Sequence, residues 1–165
     1  EAKDKYGYTA LHLAADQGSF KAAQQLIRAG ANVNSRSEWN STPLHASVAN
    51  NNIDLTKLLI IEGADIGTRD RLGRTSLHWA AEKGNLAIVK LLLVKGAEID
   101  SQDNDGETAL HEAAKWGHLK LIQFFINHGA NINAVGSDGR APIHLAIAHG
   151  NIDIVNLLKK YGAIL

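Results

Sequence analysis

The chain has 165 residues, the size of one ordinary domain, and 45% of them are apolar and 21% charged, enough for a genuine hydrophobic core. Lys plus Arg and Asp plus Glu each number 17, so the basic excess usual in duplex nucleic-acid binders is absent. There is no cysteine, which excludes disulfides, thiolate catalysis and cysteine-based zinc sites, and no apolar run approaches the ~20 residues that span a bilayer.

Along the chain the same elements come round five times. "TALH" at Thr9 opens a short helix that ends near Gly18, and a second helix opens at Ser19 and stops at Gly30. The cycle restarts with "TPLH" at Thr42, turns at Asn51 and stops at Gly63. It returns with "TSLH" at Thr75, Gly84 and Gly96, then "TALH" at Thr108, Gly117 and Gly129, and last "APIH" at Ala141, Gly150 and Gly162. Each start lies 33 residues after the one before, a fixed period that marks a repeat array.

The residue types suit the assignment. Thr is a good N-cap, and Pro43 and Pro142 fall at the first helical position, where a missing N–H is harmless. Gly84 fits the left-handed position just after a helix, and Asn51 is the next most tolerant residue there. Ser19, Asn52, Asn85 and Asn151 are predicted to cap the second helices. Stretches such as "AEIDSQDNDGE" predict a turn or hairpin between units. Helices of about ten residues are marginal alone, so the copies are expected to stack.

These residues resemble the ankyrin repeat, whose pattern is roughly D-x-x-G-x-T-P-L-H-x-A-A-x-x-G, a second helix, then G-A-D-x-N. "DRLGRTSLHWAAEKGNLAIVKLLLVKGAEID" and "DNDGETALHEAAKWGHLKLIQFFINHGANIN" match it closely. The resemblance implies an all-α solenoid forming a single domain over residues 1–165, with repeats at 4–36, 37–69, 70–102, 103–135 and 136–165. It departs from the pattern at Asn40, at Ser47-Val48, at Ala141 and at Ile147. Loss of the cap at Ala141 is expected to destabilise its helix by about 0.5–2 kcal/mol. The chain lacks methionine altogether and its last helix has no polar outer face, so an excised fragment of a longer array or multidomain protein is expected.

His12, His45, His78, His111 and His144 form one column. Stacked helices stand ~8–10 Å apart, too far for neighbours to share a metal ion, so no metal site is expected. A histidine that recurs five times is read as structural, joining one repeat to the next. Ser76 stands where Ala10, Pro43, Ala109 and Pro142 stand elsewhere, which makes it an ordinary substitution beside His78 and not a nucleophile. No nucleophile elbow or phosphate loop is present. His118, His128 and His149 are read as exposed.

Function is sought where the repeats differ. Trp39, Trp79 and Trp116 all fall at variable positions, and Tyr6 and Tyr8 join them at the first tip; Trp and Tyr are the commonest interface anchors. Arg36, Arg69, Arg71 and Arg74 make the second and third tips basic, whereas Asp103, Asp105, Glu107 and Glu112 make the fourth acidic. Such zoning orients a partner more than it tightens binding.

Together with the resemblance, this predicts a non-catalytic module that binds a partner protein or peptide through the concave face of hairpin tips and first helices. The residues expected to serve are Tyr6, Tyr8, Trp39, Arg71, Leu72, Arg74, Trp79, Lys83, Asp105, Glu107, Glu112 and Trp116. The alternatives are a substrate-recruiting or targeting arm of a larger protein, an enzyme included, and a scaffold that uses stacking alone. No cofactor, metal, small-molecule substrate or membrane is expected, nucleic acid is the weakest candidate, and a cytoplasmic or nuclear monomer is anticipated. The resemblance also marks Asn34 and Asn133 as hairpin asparagines open to hydroxylation.

Overall fold

The computed structural model describes residues Glu1–Leu165. It contains ten α-helices and no strand, in five consecutive pairs: α1 (Ala10–Asp16) with α2 (Phe20–Arg28), α3 (Pro43–Ala49) with α4 (Ile53–Ile61), α5 (Ser76–Glu82) with α6 (Leu86–Val94), α7 (Ala109–Lys115) with α8 (Leu119–Asn127), and α9 (Pro142–Ala148) with α10 (Ile152–Lys160). The first helices pack on one another in sequence order, and the second helices form a layer behind them. This is the all-α solenoid that the resemblance implies.

The two layers are built from different side chains. First helices bury alanines such as Ala14, Ala15, Ala80, Ala81, Ala113 and Ala114, so their backbones approach closely. Second helices bury Leu55, Leu59, Ile88, Leu92, Ile122 and Phe125, which hold backbones apart. The first-helix layer is accordingly the closer-packed of the two. One continuous apolar core runs through all five pairs, as expected where a single pair cannot bury its own stripe.

Helix ends follow the residues that allow them. After α5 the chain turns at Gly84, φ +68°, where its N–H bonds to Ala81 O and that of Asn85 to Ala80 O. The same two bonds close α3, with Asn51 at φ +56° in place of glycine, so this end survives as anticipated.

Two of the four predicted second-helix caps are corrected. Asn52 and Asn85 accept from Leu55 N and Ile88 N at 3.0 Å. Ser19 makes no cap bond, and neither does Asn151. Asn151 turns its amide backward instead, donating to Ala114 O at 2.8 Å and Lys115 O at 3.1 Å. His118 does likewise to Glu82 O, at 2.8 Å. These side chains satisfy carbonyls left open at the end of the preceding first helix.

The turns between pairs form a row of fingers. Each closes on itself, as in Asp70 N to Arg74 O at 2.9 Å, and each is joined to the next, as in Arg71 N to Trp39 O at 2.8 Å.

Candidate functional site

The histidine column is resolved by its hydrogen bonds. In each pair the Nδ1 atom accepts the backbone N–H three residues earlier, at Thr9, Thr42, Thr75, Thr108 and Ala141, over 3.0–3.2 Å. An accepting Nδ1 places the proton on Nε2. That N–H then donates to the next finger: His12 to Ser41 O, 2.9 Å; His78 to Glu107 O, 3.1 Å; His111 to Arg140 O, 3.2 Å. His45 faces the Arg74 carbonyl without a bond of normal geometry. Burial lowers the pKa of His12, His78 and His111, and that of His45 to about 4. In all five rings Nδ1 is engaged by a backbone N–H, and in His12, His78 and His111 Nε2 is engaged as well, so none of these rings is free to act as a base. Ser76 Oγ is buried and has no hydrogen-bond partner.

The residues singled out for binding separate into three groups. Tyr8, Trp39, Arg71, Leu72, Arg74 and Trp79 come together in one cleft of about 340 Å³ at the finger bases. They arrive from three successive fingers and from α5. Their placement rests on Asp70, whose Oδ1 accepts Leu72 N and Arg74 N at 2.9 and 3.0 Å, forming the turn. Its Oδ2 accepts Arg74 Nε at 3.2 Å and Trp79 Nε1 at 3.1 Å. Arg74 also reaches Glu82 Oε2 at 3.4 Å and stacks on the Trp79 ring at 3.9 Å. The Arg74 charge is therefore neutralised internally, and the indole is fixed on both edge and face. Trp39 and Leu72 stand free, 54% and 57% exposed, and Arg71 lies 5.5 Å from the Trp39 ring.

The second group is on the fourth pair. Trp116 is 56% exposed and donates Nε1 to Glu112 Oε2 at 3.0 Å. Glu112 itself is buried. Burial raises its pKa, as it does that of Glu107, with the two carboxylates adding to each other at Glu107. Neither has a cation within ion-pairing distance.

The rest lie apart. Tyr6 is exposed under Lys5, 4.8 Å away. Lys83 pairs with Glu82 at 3.1 Å, and Asp105 is exposed on its own finger. Asn34 and Asn133 bridge outward, each donating Nδ2 to a glycine carbonyl of the next pair, Gly63 O at 3.0 Å and Gly162 O at 3.2 Å.

A second cavity, about 290 Å³, adjoins the cleft and shares Tyr8, Ser41 and Trp79 with it. It is lined also by Leu13, Ala46 and Ala49. Sequence reasoning counts these among the variable positions of the first helices but does not single them out as anchors. The signal was available: one column reads Leu13, Ala46, Trp79, a small side chain between two large ones.

No three His, Asp or Glu side chains converge where a metal ion could be held, and no helix is long and apolar enough to cross a membrane. A family model for ankyrin repeats, in three copies, matches residues 11–103 and 77–165. No curated protein matches the chain.

Proposed function

The chain belongs to the ankyrin-repeat family, whose repeats generally act as protein–protein interaction modules, and from that premise we propose that it binds a partner protein through the concave face of finger tips and first helices. The observation that carries the reading is the cleft in which Tyr8, Trp39, Leu72 and Trp79 meet from separate pairs. Residues this large and apolar, left open to solvent and fixed in place, are what an interface anchors on.

Trp39 and Trp116 are the outer anchors, both more than half exposed. Trp79 forms the wall between them, held by Asp70 and Arg74. Arg71 is the free orienting charge. Tyr6, Lys83, Asp105 and Glu107 are peripheral contacts, and Glu112 holds the Trp116 ring. The module does no chemistry of its own; its output is proximity.

The test is a Trp39→Ala plus Trp116→Ala double variant, compared with the parent chain by affinity enrichment from cells that express the protein. Neither ring is part of the buried core, so the variant folds with an unchanged melting curve. Loss of about 2 kcal/mol or more at an anchor removes the partner from the recovered set. Recovery of the same proteins at the same occupancy by the double variant overturns the reading.

A further inference from the structure

The two joined cavities define the chemistry of the occupant, granted that the concave face is the binding face. The inner one is a notch. Its apolar lining is Ala46 and Ala49 on α3 with Leu13, Trp79 and Tyr8, and on α1 it also meets Asp16, whose Oδ1 accepts Asn50 Nδ2 at 2.9 Å. The walls are rigid: Trp79 is fixed as described, and Tyr8 packs edge-on against His12 at 5.5 Å. A volume near 290 Å³ exceeds what one apolar side chain fills, so the backbone that carries it has room to enter as well.

The tip end of the notch holds cations without ion-pair partners. The ion pairs of the chain use Lys57, Arg74, Lys83 and Arg140. Arg71 has none, and neither have Lys5, Arg36 or Arg69 on the same fingers. Among the carboxylates there, Asp4 accepts Tyr6 N and Tyr8 N and Asp65 accepts Gly67 N, bonds that fix them in their own turns without neutralising them, and Asp70 carries the turn and pairs with Arg74. Glu38 alone is free there. One finger further along, Asp103, Asp105 and Glu107 make the surface negative. A long polyanion laid along the face would meet that zone and be repelled, whereas one or two carboxylates beside the notch would not.

We propose that the notch over Ala46 seats a bulky apolar side chain from an acidic segment of a partner protein, and that a neighbouring Asp or Glu of that segment pairs with Arg71. The guanidinium is planar and suits a bidentate carboxylate. It lies 5.5 Å from the Trp39 ring and lines the cleft that adjoins the notch.

The experiment is selection of a random peptide library on the parent chain, with counter-selection on Ala46→Leu. Leu13 and Leu145 occupy the same column, so leucine fills the notch without disturbing the fold, and circular dichroism verifies this. Peptides lost on Ala46→Leu are expected to carry a bulky apolar residue beside Asp or Glu. Their affinity falls about tenfold or more on Arg71→Glu and returns when the peptide acid is changed to Lys.

If the peptides lost on Ala46→Leu are basic or neutral, or if a phosphopeptide or oligothymidylate binds the notch in preference, the proposal is overturned and the concave-face reading stands. If selected peptides respond to Trp116→Ala but not to Ala46→Leu, the notch is not the seat. If no peptide responds to any substitution on this face, both readings fall.

Discussion

At the scale of single residues, the histidines explain more than any other type. His12, His45, His78 and His111 are held neutral because their Nδ1 atoms already accept a backbone N–H, and protonating that atom would set two N–H groups against each other. Burial adds to this, and the folded pKa values of His12, His45, His78 and His111 all lie below 6.5. The unfolded chain, with ordinary histidines, binds more protons below that pH. Stability is therefore present in full above about pH 6.5 and is lost as pH falls, until the folded rings themselves titrate, near 4 for His45. For His45 alone the shift corresponds to about 3 kcal/mol. Glu107 and Glu112 act in the opposite direction, since their raised values make them easier to protonate folded than unfolded. Four rings outweigh two carboxylates over the upper part of this range. Urea midpoints taken from about pH 7.5 down to about pH 5 should be flat at first and then fall. A midpoint that rises on acidification would show that the column is not held neutral.

At the scale of elements, the cap of α9 is the clearest defect. The first helices of the other pairs begin at Thr9, Thr42, Thr75 and Thr108, with the hydroxyl 2.9 Å from the histidine Nδ1. Ala141 keeps the backbone half of this arrangement, its N–H reaching His144 Nδ1 at 3.1 Å, but has no hydroxyl. The site is buried and the other pairs show that Thr fits it, so Ala141→Thr should stabilise the chain by about 0.5–2 kcal/mol. Chemical denaturation measures it, and no gain would mean that α9 is capped adequately by the histidine alone. The elements themselves were legible in the sequence because Thr, Pro, Gly and Asn sit where backbone geometry demands them. Asn151 was not: an Asn at a helix start can cap its own helix or reach back to the previous one, and only the positions of the Ala114 and Lys115 carbonyls decide which. The cleft was half legible. Trp39, Trp79 and Trp116 stood out as departures from the period, but the notch is made by what is missing at Ala46, and a small residue attracts no notice until its neighbours are in place. Arg74 read as an orienting charge from sequence; three-dimensional proximity to Asp70 and Glu82 gives it the task of fixing Trp79.

At the scale of the whole molecule, stability depends on neighbouring pairs being joined, and the fingers allow that coupling to be measured apart from local strain. Gly73 and Gly139 occupy the same place in the third and fifth fingers, with φ +78° and +77°. An alanine at either would suffer the same left-handed backbone penalty, roughly 1–2 kcal/mol. Their surroundings differ. A Cβ on Gly73 would lie 2.7 Å from the backbone N of Asn104, on the next finger, whereas one on Gly139 would meet nothing within 4 Å. That contact sits where Asn104 N donates to Leu72 O at 3.0 Å and Asn104 Nδ2 to Arg71 O at 3.0 Å, so the fourth finger would have to move off the third. In a quasi-one-dimensional stack a weakened junction lets the units on either side unfold separately. Gly73→Ala should therefore destabilise more than Gly139→Ala and broaden the urea transition, while Gly139→Ala lowers the midpoint and leaves the slope alone. Because Arg71 and Leu72 lie at the displaced junction, Gly73→Ala should also weaken partner binding and Gly139→Ala should not. Equal midpoints and equal slopes for the two variants would mean that the fingers hang from the helices without joining them, and that the cleft owes its shape to α3 and α5 alone.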